Sequence, residues 1–77
     1  MSAGQTSKSV SKLIVKKLAD AGVPHYEAAR WSGISTSVLS RRLSGQSDWL
    51  ISELFVLSGE VLGVPLSALL REAEALV

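Results

Sequence analysis

Four glycines, Gly22, Gly33, Gly45 and Gly63, divide this chain into short segments, and every segment repeats its apolar residues at a helical period. That punctuation limits the fold more than any other feature. Glycine closes helices because it takes the left-handed conformation at little cost. Two of the stops are followed within two residues by proline, Pro24 and Pro65. Proline suits a first helical turn, where its missing N–H has no role. No stretch alternates apolar and polar residues as a half-buried strand would, and no internal repeat is visible. The expectation is an all-α chain: a compact bundle of five short helices.

The first helix is expected over about 7–21, with Val10, Leu13, Ile14, Leu18 and Ala21 as its apolar face. Residues 1–6 are small and polar and read as a flexible N-terminal tail, leaving 7–77 as one domain. Lys8, Lys12 and Lys16 fall opposite the apolar face, while Lys17 lies at its rim and must snorkel outward. A second helix opens at Pro24 and ends near Ser32, with Ala28 and Ala29 inward. Gly33-Ile34-Ser35 then supplies a tight turn, an apolar anchor and an N-cap. The third helix runs from about Thr36 to Leu43 or Ser44, with Val38, Leu39 and Leu43 inward. After a loop at 46–50, a fourth helix covers about 51–62, with Leu54, Leu57, Val61 and Leu62 inward. A fifth runs from Pro65 to about Leu76, burying Leu66, Leu69, Leu70 and Ala73.

Seventy-seven residues sit near the lower limit for a self-sufficient core, and no cysteine is present to reinforce it. Hydrophobic residues make up 47% of the chain, which favours a packed globule over disorder. The longest run of large apolar residues, Leu54-Phe55-Val56-Leu57, is far below the roughly 20 needed to span a membrane. The lack of cysteine fits a reducing cytoplasm, and export is not expected.

The formal net charge of +1 conceals an asymmetry. Residues 1–45 hold seven basic side chains against two acidic ones, a net +5. Residues 46–77 hold one basic against five acidic, a net −4. A polyanionic partner for the first half accounts for this, as does chance clustering of surface charge. Catalytic chemistry has little to work with. His25 is the only histidine, so neither a zinc site nor a triad can be assembled, and no Gly-x-Ser-x-Gly elbow or phosphate loop occurs. Neither an enzyme nor a cofactor or metal is expected.

Residues 26–45, YEAARWSGISTSVLSRRLSG, carry the functional signal. Two short helices crossing at a glycine turn need a tiny side chain at the crossing, and Ala29, four residues before Gly33, supplies it. The second of the pair then has one apolar stripe and one polar face bearing Thr36, Ser37, Ser40 and Arg41. A helix of that size fits the DNA major groove, where such side chains can bond to base edges.

This segment resembles the helix-turn-helix domain of phage repressors and Cro proteins, also widespread in bacterial regulators. The matching residues are Ala28-Ala29, Gly33-Ile34-Ser35, Leu39 to Gly45, Glu53-Leu54 and Val61 to Leu66. The resemblance covers roughly residues 10–72; no single piece is specific, but the ordered set is. It implies a phage-repressor-like fold, and a cytoplasmic transcription regulator, in a bacterial or phage-infected cell, that reads double-stranded operator DNA. By position it makes Thr36, Ser37 and Arg41 base-contacting, with Ser40 a weaker candidate. His25 and Ser44 match phosphate-contacting positions, and Arg42 could act likewise. Lys17 joins them as a phosphate candidate, with a solvated face as the plainer account of it and its neighbours Lys12 and Lys16. Pro24-His25 stands where the family usually has a capping serine or threonine followed by glutamine. Leu50 replaces a common capping threonine, which would let the fourth helix start later on Ser52.

Trp49 is expected to plug the core beneath its loop. Trp31 falls at a position usually exposed, covering the flank of the domain or touching DNA or a partner. Leu50, Phe55, Leu76 and Val77 exceed the needs of so small a core. They suggest self-association as a homodimer, on a pseudo-palindromic operator, or else an unusually generous core. With the chain filled by one such domain, neither a small-molecule ligand nor a membrane partner is expected. The competing reading is a protein-interaction module, such as an antitoxin or anti-repressor, that keeps the fold without reading DNA.

Overall fold

The computed structural model describes residues 3–75, and the side chains from Lys8 to Ala75. Its elements are α1 (Ala3–Ala21), α2 (His25–Ser32), α3 (Thr36–Leu43), α4 (Ile51–Val56), continued by a π-helical turn (Leu57–Leu62), and α5 (Leu66–Ala75). Among the described residues every regular element is helical, and the molecule measures 32 × 23 × 21 Å.

The core forms where these helices turn their apolar stripes toward one another. Val10, Leu13, Ile14 and Leu18 of α1 meet Ala28 and Ala29 of α2, Leu39 and Leu43 of α3, Leu54 and Leu57, and Leu69 and Ala73 of α5. Val23, Ile34, Trp49, Val61, Leu62, Leu66 and Leu70 cover its edges. α1 is the central element: it packs along α5 on one side and against α3 on the other, while α2 bridges α3 and the π-helical turn. Burying a residue such as Leu39 or Leu57 contributes about 1.5–3 kcal/mol each, and a core this small depends on every one.

Several element boundaries differ from those expected. α1 begins at Ala3, so residues 3–6 continue the helix where a flexible tail was expected. No proline interrupts that run, and extending an established helix is far easier than nucleating one. Ala21, expected on the buried face, is exposed, because the chain turns away at Gly22 and Val23 packs on the core instead. α4 starts at Ile51 with Leu50 as its cap residue, not later on Ser52. Leucine offers no side-chain acceptor; instead the Glu53 carboxylate accepts the Leu50 amide at 2.8 Å. The fourth helix also widens into a π turn after Val56. The buried Ser58 hydroxyl donates to the Phe55 carbonyl at 3.1 Å across this junction. Val61 and Leu62, expected inward, are half-buried at the core's edge.

Candidate nucleic-acid interface

α3 is positioned by its two ends. At its start, Ser35 adopts an extended conformation and its Oγ accepts the Val38 amide at 3.3 Å. Immediately before it, Gly33 sits at φ +76° and its amide donates to the Ala29 carbonyl at 3.0 Å. A Cβ at Gly33 would meet no atom within 4 Å, so the demand for glycine there is one of backbone conformation alone. Ser32 tightens the same turn: its hydroxyl donates to the Ala29 carbonyl and accepts the Ile34 amide. Ala29, only 4% exposed, is buried in the core beside this turn.

At the far end, α3 is tied to α1 and to the loop before α4. The Ser11 hydroxyl of α1 donates to the Arg42 carbonyl at 2.6 Å and accepts the Trp49 indole N–H at 2.8 Å. This short chain of bonds joins α1, α3 and the loop through one buried hydroxyl. Trp49 is half-buried against the core, as expected of it. Ser11 was not anticipated; its place beside Val10 and Leu18 on the α1 wheel marked it as an edge-of-stripe residue.

Of the eight residues read from the sequence as touching nucleic acid, six share an exposed condition and two do not. Thr36, Ser37, Ser40 and Arg41 are all exposed. At 3.6 residues per turn they fall within about 140° of arc, and the buried Leu39 and Leu43 point outside that arc. Ser44 is exposed just past them, its hydroxyl donating to the Arg41 carbonyl at 3.1 Å. His25 is the exposed first residue of α2, behind Pro24, which provides no side-chain cap. The first amides of a helix have no intrahelical partner, so this end can attract an anion.

Arg42 and Lys17 are each held in an ion pair. The Arg42 guanidinium forms a two-point bridge to Glu53, Nε to Oε1 at 2.9 Å and Nη2 to Oε2 at 3.3 Å. The two side chains retain only 19% and 11% of their exposure. Position 42 lies on the inner side of α3, between the directions of Val38 and Leu39, and its guanidinium is turned from the exposed face toward Glu53. Burial pushes the Glu53 carboxyl up, but the bonds from Arg42 and the Leu50 amide, with the arginine's charge, outweigh it. The group settles below its ordinary value. Lys17 reaches Glu72 of α5 at 3.0 Å and lies some 140° around α1 from Lys12, away from the end of α3.

Leu50 and Phe55 are 56% and 67% exposed, and Ile51, one turn before Phe55 and also 67% exposed, extends the patch. Leu76 and Val77 lie outside the described residues. Trp31 is 50% exposed on the flank of α2. Among the described residues no cluster of acidic or histidine side chains could hold a metal ion. Among the described residues no single helix is long and apolar enough to cross a membrane. Compared with family models, with curated proteins and with solved structures, the chain matches none.

Proposed function

We propose that this chain is a sequence-specific DNA-binding transcription regulator of the repressor or Cro type, in which α2 and α3 form a helix-turn-helix and α3 enters the major groove. One observation carries the reading. Thr36, Ser37, Ser40 and Arg41 stand exposed on one face of a short helix whose other face is fixed in the core. A helix about 10–12 Å across fits a groove about 12 Å wide. Arg41 is the main base reader, because a guanidinium reaches further than a hydroxyl and can bond two guanine acceptors at once. Thr36, Ser37 and Ser40 contact nearer edges, and His25 and Ser44 meet the phosphates on either side.

A single helix reads few base pairs, so two copies on a pseudo-palindrome are required, about one helical turn apart. The Leu50, Ile51 and Phe55 patch supplies apolar surface for the second copy. The same patch favours the competing reading, a module that pairs with another protein and does not read DNA. Fluorescence-anisotropy titration against a duplex selected from random sequence and against a scrambled one, at two salt concentrations, separates the two. The DNA reading requires a preference for the selected duplex and a steep fall of affinity with salt. Equal binding to both duplexes, with tight capture of a protein partner, supports the competing module.

A further inference from the structure

We infer that a cleft between the start of α1 and the end of α3 seats one backbone phosphate, held by Lys8 and Lys12. The inference rests on the DNA reading of α3 and adds to it a contact from a helix outside the α2–α3 pair. The cleft has a volume of about 130 Å³ and is lined by Lys8, Ser11, Lys12, Leu43, Ser44 and Gly45.

Three features make this a phosphate seat. The first is the charge. Lys8 and Lys12 are one helical turn apart on the same face of α1 and both are exposed. Among the described residues the ion pairs are Lys17–Glu72 and Arg42–Glu53, so neither cleft lysine is held in one of them. The second is the floor. The C-terminal end of a helix presents carbonyl oxygens that would repel an anion. Here the Arg42 carbonyl accepts the Ser11 hydroxyl, and the Arg41 carbonyl accepts the Ser44 hydroxyl and the Gln46 amide. Gly45, at φ +84°, adds no side chain, and a Cβ there would stand 3.8 Å from Cγ of Lys8, so the lysine stem lies directly over the turn. The third is position. The eight residues of α3 span about 12 Å, the width of the major groove. With Thr36 and Arg41 directed to the bases, the Ser44–Gly45 end arrives at one wall of the groove, where the phosphates stand.

The test compares the wild-type chain with Lys8→Gln/Lys12→Gln, which removes both charges and keeps Cβ and Cγ, and with Arg71→Gln, which removes an exposed charge from α5. Each is titrated with the selected and the scrambled duplex across a salt series. The double variant is expected to bind both duplexes about tenfold more weakly near 0.1 M salt, with log affinity against log salt shallower by about 0.9. Its preference between the duplexes stays unchanged. Duplexes carrying one neutral methylphosphonate at a time locate the contact. One position should weaken the wild type and leave the double variant unaffected. An unchanged salt slope, an equal change in Arg71→Gln, or the absence of any such position overturns the phosphate seat while leaving the reading of α3 intact. A wild-type chain that prefers no duplex overturns the reading itself, and the seat with it.

Discussion

The two sides of α3 each carry one of a pair of adjacent arginines, one turned to solvent and one turned to the fold. Arg41 stands on the outer side, exposed, next to Thr36, Ser37 and Ser40. Arg42, one residue on, turns inward and is clamped by Glu53, which also holds the first amide of α4. Identical chemistry thus does opposite work 100° apart on the wheel. Adjacent arginines on one helix can thus have different surroundings: one is held by a carboxylate and the other stands in solvent. One of these arginines fixes the surface on which the other is displayed.

The contrast is broken most forcefully at Arg42. Replacing it by alanine strands a largely enclosed Glu53 carboxylate and is expected to cost about 2–3 kcal/mol in chemical denaturation, between the values of exposed and fully buried pairs. A loss under 0.5 kcal/mol would mean that the bridge contributes nothing to holding α3. Arg41→Ala is its counterpart: stability should stay within about 0.5 kcal/mol, while discrimination between selected and scrambled duplexes falls by about 1–3 kcal/mol. Equal weakening on both duplexes would reduce Arg41 to a phosphate contact. Gly33→Ala tests the turn that aims both residues. With open space around the new methyl, its cost is conformational, about 1–2 kcal/mol, read as a lowered melting temperature. Trp49→Phe removes the indole donor to Ser11 and is expected to cost about 1 kcal/mol.

Acid sharpens the same comparison. Glu53 titrates below its ordinary value in the folded state, so the stability it provides is complete above about pH 4.5 and fades as the pH falls through that lower folded value. Glu53→Gln should be less stable than the wild type at neutral pH, with the gap narrowing as acid is added. A gap that is constant with pH would show that the carboxylate charge is irrelevant to the bridge.

Much of this architecture was legible from residue order. The glycine stops, the Ser35 cap, the burial of Ala29 and most of the apolar stripes, Ala21 and Val38 excepted, follow from local geometry, which depends on few neighbours. The outward exposure of Thr36, Ser37, Ser40 and Arg41 followed for the same reason. What escaped depends on contacts distant in the chain. Glu53 lies 11 residues from Arg42, and Ser11 lies 31 from the carbonyl it binds. Glu72 reaches Lys17 only because α5 packs along α1. The π turn escaped because nothing in the residue order of 51–62 interrupts its helical apolar period. Position 42 did carry a readable sign: it follows Leu39 by three residues and precedes Leu43 by one, which places it on the inner arc.

The most direct measurement of the account is an amide NMR titration of the full chain with its selected duplex. Shift changes concentrated at Thr36, Ser37, Ser40 and Arg41, with Leu39 and Leu43 nearly still, are the predicted result. Changes centred on Leu50, Ile51 and Phe55, or none that saturate with duplex, would contradict it.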